Sequence, residues 1–174
     1  MIDMQSFDKF LKGDDLRSLG KSSEIISNIK TQKDFDKLFE YLYHDDRAVV
    51  MKSADVIEKI TLTRVDYLNK HKTEIIELIN KSKNKEFKWH LAQLLGRLNY
   101  SKNELLIAWE ILKKMALDIK ESKIVRVNSI QSLYDLSKID NKFTHDFKEI
   151  ISIIKEENVP SINARIRKLN SKYD

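Results

Sequence analysis

Apolar residues in the stretch FKWHLAQLLGRL fall at Phe87, Leu91, Leu94, Leu95 and Leu98. That is the i, i+4, i+7, i+8, i+11 spacing of an amphipathic helix with a broad apolar face. Ala92 adds a small residue beside that face, where a neighbouring helix can approach closely. The pattern returns when the frame moves by 38 residues in either direction. Val49, Ala54, Ile57 and Ile60 precede Phe87, Ala92, Leu95 and Leu98 by that interval, and Val125, Ile130, Leu133 and Leu136 follow by it. A fixed period of this length is the signature of a repeat architecture built from one supersecondary unit.

Within that period the chain reads as paired helices, here termed A and B. Residues 4–12 predict a short helix ending at Gly13, and Ser22 or Ser23 is placed to cap another that carries Ile25, Ile26 and Ile29. Residues 1–30 would thus form an atypical N-terminal cap, and residues 31–170 the repeats. Phe35, Leu38, Phe39 and Leu42 mark the first A helix, and Arg47–Thr61 is the first B helix. Tyr67 and Leu68 suggest a partial turn. Ile75, Ile76, Leu78 and Ile79 mark the second A helix, and the stretch through Leu98 is its B partner. The third A helix runs from Lys102 to Ile119, burying Leu105, Ala108, Ile111, Leu112 and Met115, and its B partner ends near Ser137. Phe143, Phe147, Ile150, Ile151 and Ile154 form the fourth A helix. Pro160 opens a last B helix carrying Ile162, Ile166 and Leu169. The expectation is a single all-α domain spanning residues 1–174, with about ten helices and no strands.

Composition agrees. Three Gly and one Pro in 174 residues leave too little turn chemistry for a sandwich or barrel, and 41% hydrophobic with 34% charged residues suits thin, well-wetted layers. No apolar run is long enough to span a membrane. MIDMQSFDKF lacks the basic flank and apolar block of a secretory signal. Zero Cys excludes disulfides and thiol chemistry, and the expected location is cytoplasmic. The net charge of +5 is unevenly spread. Residues 1–62 hold 10 basic and 12 acidic residues, Lys81–Arg126 hold 11 and 5, and Arg165, Arg167, Lys168 and Lys172 make the C-terminal end basic.

The segments DDRAVVMKSADVIEKI, NKEFKWHLAQLLGRL, SKIVRVNSIQSLYDL and VPSINARIRKL resemble HEAT or armadillo-type repeats. The chain also resembles small bacterial HEAT proteins of unknown activity that carry a VRWHLAQ-like segment. The resemblance implies a right-handed α-solenoid of about four helix pairs with B helices lining its concave side. It also implies a ladder between repeats, from a turn Asp to a basic residue early in the B helix. Lys88 and Arg126 match the basic position and Asp45 or Asp46 the acidic one. Val50 replaces the base in the first repeat, and the second and third turns lack a clear Asp.

Candidate chemistry is sparse. Trp89 shares its repeat position with Met51 and Val127, and His90 with Lys52 and Asn128. Asp55, Gln93 and Gln131 share a further outward position, as do Lys59, Arg97 and Asp135. The candidate partner-binding residues are therefore Met51, Lys52, Lys59, Trp89, His90, Gln93, Arg97, Val127 and Asn128, with Trp89 as aromatic anchor. His44, His71 and His145 lack metal-ligand spacing. Glu156-Glu157 and Asp45-Asp46 read as solvated helix-end groups. No phosphate loop, nucleophile elbow or zinc signature occurs. No catalytic residue, cofactor or metal is expected. The leading expectation is a non-enzymatic scaffold for a protein or peptide partner. The alternative is nucleic-acid binding through the basic middle repeats, in the manner of the HEAT-like alkylpurine DNA glycosylases, with Trp89, Trp109 and Asp55 as the available residue types.

Overall fold

The computed structural model describes Leu11 and residues 19–170. The expected helix over 4–12 therefore lies, Leu11 apart, outside the described residues. The described α-helices are α1 (Leu19–Asn28), α2 (Gln32–Glu40), α3 (Arg47–Ile60), α4 (Lys72–Lys81), α5 (Lys85–Leu95), α6 (Lys102–Leu117), α7 (Lys123–Ser137), α8 (Lys142–Glu156) and α9 (Pro160–Asn170). Two 3-10 segments, Tyr41–Tyr43 and Val65–His71, interrupt them, and no strand occurs among the described residues. The protein is all-α, and α2–α3, α4–α5, α6–α7 and α8–α9 are the predicted A–B pairs. All twelve apolar residues related by the 38-residue period are buried, from Val49, Phe87 and Val125 to Ile60, Leu98 and Leu136. The chain forms two compact units, Met1–His71 and Lys72–Asp174.

In the first unit, α1 begins at Leu19, so Ser22 and Ser23 lie inside the helix rather than capping it. Thr31 and Asp34 close a capping box at the start of α2: each side chain accepts the other's backbone N–H. Phe35, Leu38 and Phe39 are buried. The Val65–His71 segment, expected as a partial turn, is clamped to α2. Tyr67 donates its hydroxyl to the Lys30 carbonyl at 2.8 Å. His71 stacks on Phe39 with ring centres 4.0 Å apart, and its Nε2 lies 2.8 Å from Asp36 Oδ1.

In the second unit the centre of packing is α7, not α5 as the regularity of Phe87–Leu98 suggests. The α7 helix contacts α5, α6, α8 and α9, and eleven of its fifteen residues are buried. The α5 helix also stops earlier than expected, at Leu95 with Gly96 as C-cap. The Tyr100 hydroxyl donates to the Leu95 carbonyl at 2.7 Å, satisfying a helix-end acceptor, while Leu98 stays buried in the loop. Likewise α6 ends at Leu117, short of Ile119, which is exposed. Its buried face differs from expectation: Trp109 and Ala116 are buried, whereas Ile111 and Met115 are only half-buried. The physical reason is α8, which packs on α6. Phe143 of α8 stacks on Trp109 at 4.4 Å, and Asp146 accepts the indole Nε1–H at 2.7 Å. Each fully buried Leu or Ile contributes about 1.5–3 kcal/mol, so these seams are the main source of stability.

Candidate interaction surface

The start of α5 sets how its outward residues project. Asn84 Oδ1 accepts the backbone N–H groups of Glu86 at 2.9 Å and Phe87 at 3.2 Å, so the helix begins at Lys85. One turn later Trp89 emerges half-buried, its ring stacked on His90 with centres 3.6 Å apart and planes 28° from parallel. Gln93 and Arg97 follow at i+4 and i+8, both half-buried, and Arg97 Nη2 reaches Gln93 Oε1 at 3.4 Å.

Three expected contact residues are turned inward. His90 is 5% exposed beneath the indole, Val127 is 9% exposed, and Asn128 is 8% exposed with its amide donating to the Ile124 carbonyl at 2.8 Å. The apolar arc read from the sequence underestimates burial because a B helix in a stack is covered on three sides: by its own A helix and by the B helices before and after it. Here α7 shows this directly, lying between α5 and α9 with α6 packed against it.

Met51, Lys52 and Lys59 belong to α3 in the first unit. Met51 is half-buried. Lys52 donates to the Leu11 carbonyl at 3.2 Å, and Lys59 is paired with Asp55 at 2.6 Å. Trp109 has no exposed surface, so it does not belong with Trp89 on any surface.

Two residues outside the expected set complete the arrangement in the second unit. Arg165 of α9 donates Nη1 to Gln131 Oε1 at 2.7 Å. The other end of that carboxamide, Nε2, donates to both oxygens of Asp135 at 3.1 Å. Gln131 was legible as the repeat equivalent of Gln93. Arg165 carried only the signal of a basic last helix.

Several basic residues of this unit are matched by carboxylates. Lys88 pairs with Glu121. Lys113 pairs with Asp146 at 2.8 Å. Arg126, 3% exposed, holds Glu157 through two bonds of 2.7 Å and donates Nε to the Ala116 carbonyl at 2.9 Å. The Arg126 guanidinium keeps the Glu157 carboxyl below its ordinary range. Glu157 is therefore a paired group, not the solvated helix-end residue its neighbourhood in sequence suggested. These contacts make a ladder in which the base early in one B helix meets a glutamate in the following A–B turn. Asp46, the turn aspartate of the first pair, instead caps α3 by accepting the Ala48 N–H at 2.7 Å.

A family model described as a HEAT repeat domain matches residues 14–173. The chain belongs to the HEAT repeat family. Its HEAT ladder uses Glu121 in the third turn and Glu157 in the fourth in place of the expected turn Asp, which explains why the third turn looked incomplete in sequence. HEAT repeats commonly mediate protein interaction. Comparison with curated proteins and with solved structures gave no match. Among the described residues no group of three His, Asp or Glu side chains is placed to hold a metal ion, and no helix is long and apolar enough to cross a membrane.

Proposed function

We propose that this HEAT protein is a non-enzymatic interaction module in the cytoplasm, and that α5 offers Trp89 as the anchor for a protein or peptide partner. The observation that carries the reading is the state of Trp89. It is half-buried, and its ring is fixed flat against His90. A large aromatic held in one orientation loses little freedom on binding, which is the character of an interface hot spot. Gln93 and Arg97 on the same helix supply adjacent polar contacts. The nucleic-acid alternative draws on the basic Lys81–Arg126 segment. That reading is weakened because Lys88, Lys113 and Arg126 are matched by carboxylates and Asp135 interrupts the stripe that a polyphosphate requires.

The test compares wild type with Trp89→Ala, each immobilised and exposed to extract of the native cell, with circular dichroism as the folding control. A partner retained by wild type and lost by the folded variant is the expected result, since such an anchor is worth about 2 kcal/mol or more. Duplex DNA bound tightly at low salt and released at moderate salt, with Trp89→Ala unaffected and Arg97→Glu impaired, would support the alternative instead.

A further inference from the structure

The two arginines next to α7 are held in opposite ways. Arg126 is buried and fully matched by the Glu157 carboxylate. Arg165 is half-buried, and among the described residues its hydrogen-bond partner is a neutral carboxamide, Gln131 Oε1 at 2.7 Å. An amide acceptor orients a guanidinium without cancelling its charge, and the guanidinium's remaining donors match a carboxylate fork. The nearby acid, Asp135, meets the other end of the amide. The helix that carries Arg165 is itself one-signed: α9 contains Arg165, Arg167 and Lys168 and no Asp or Glu.

We infer that the surface formed by α5, α7 and α9 takes an acidic peptide segment, with a carboxylate on Arg165. This rests on the reading of Trp89 as an anchor and adds the chemistry of what the anchor accompanies. Packed helices lie about 8–10 Å apart, so two steps from α5 to α9 separate Trp89 from Arg165 by about 16–20 Å. An extended chain rises about 3.3 Å per residue, and the span corresponds to about five or six residues. The segment therefore carries an apolar side chain for Trp89 and an acidic residue about five or six positions away. A local carboxylate suits this surface better than a polyphosphate, because Asp135 of α7 lies between Arg165 of α9 and Arg97 beside α5 and breaks the basic stripe.

The experiment uses the full chain and labelled synthetic peptides, with binding read by fluorescence anisotropy. One peptide combines a Leu with Glu residues spaced to that span, and its control replaces every Glu by Gln. The acidic peptide should bind about tenfold tighter or more, the scale of one charge-assisted pair. Arg165→Gln should erase the difference and Arg165→Lys should keep only part of it, since an ammonium attracts a carboxylate but cannot fork it. Equal binding of the two peptides, or discrimination unchanged in Arg165→Gln, would overturn the acidic assignment while leaving an aromatic-anchored module in place. Absence of binding by either peptide, or tighter binding of a duplex DNA than of the acidic peptide, also counts against it. Trp89→Ala should weaken both peptides alike. If it weakens neither while Arg165 still discriminates, the anchor fails and the acidic site stands.

Discussion

A Cβ placed on Gly96 would lie 2.5 Å from the Ser132 hydroxyl oxygen and 2.7 Å from its Cβ. The glycine is needed here for space and not for its backbone, which has φ −67°. The same serine donates its hydroxyl to the Ala92 carbonyl at 2.8 Å, so α5 and α7 touch through their smallest residues. Gly96→Ala should therefore destabilise the protein by about 1–3 kcal/mol through overpacking. Ser132→Gly should cost less in that variant than in wild type in a urea titration, because it removes the hydroxyl and Cβ that the new methyl meets most closely. Additive losses would show that the contact is not the cause.

Breaking the Arg126–Glu157 pair should be among the most damaging polar changes in the second unit. Arg126 is buried while Glu157 is partly exposed, so removing the acid strands a guanidinium that keeps its bond to the Ala116 carbonyl, which costs about 1–3 kcal/mol. Glu157→Gln, which leaves Arg126 charged in its buried site, should lower the denaturation midpoint sharply. Arg165→Gln, on a partly exposed residue held by an amide, should shift it by little. Similar midpoints for the two variants would contradict the contrast drawn between these arginines.

The start of α6 gives a pH signature. Glu104 accepts the Ser101 backbone N–H at 2.7 Å and pairs with Lys72 at 3.0 Å, and these bonds, the backbone bond foremost, hold its carboxyl down to about 2 against an ordinary 4.5. A carboxyl lowered in the folded state contributes stability that is complete above its unfolded value and is lost as pH falls through its folded one. Wild type should therefore lose stability relative to Glu104→Gln as pH falls from 4.5 towards 2, as measured by urea midpoints across that range. A gap between the two proteins that stays constant over it would refute the assignment.

Leu95 and Ile166 test how the stack spreads its burial. Both are fully enclosed. Leu95 lies on α5, and Ile166 on α9, the last described helix. Leu95→Ala should cost about 2–5 kcal/mol through lost transfer energy and the cavity left behind. Ile166→Ala should cost less, because α9 buries only Ile162, Ile166 and Leu169 among its described side chains and has more freedom to collapse into the gap, whereas six of the eleven residues of α5 are buried. Denaturation midpoints in the reverse order would place the weight of the fold at α9.

The repeat itself was readable because a stack imposes one geometry on each pair. Ala54, Ala92 and Ile130 are buried alike, and a 38-residue shift was enough to find them. Positions where short polar residues go inside were not readable. Ser129 and Ser53 are fully buried because each hydroxyl bonds the carbonyl one turn back, Val125 at 2.9 Å and Val49 at 2.8 Å. Such residues leave an apolar periodicity looking interrupted where the helix is in fact covered. Trp109 was overlooked as core for a different reason: its partner, Asp146, lies on another A helix 37 residues away. Of the candidate surface, Trp89, Gln93 and Arg97 were legible from helical phase, whereas the Arg165–Gln131 bond needed the packing of α7 against α9.

The enclosure of α7 also bears on how the second unit comes apart. A helix gripped by α5, α6, α8 and α9 together cannot open by fraying, so its backbone amides are released only when the whole unit unfolds. Deuterium should therefore enter α7 last, at the global unfolding free energy, while α9 exchanges through smaller openings. A ligand seated across α5 and α9 would slow exchange in α9 most, and the protection pattern would show its footprint without any mutation.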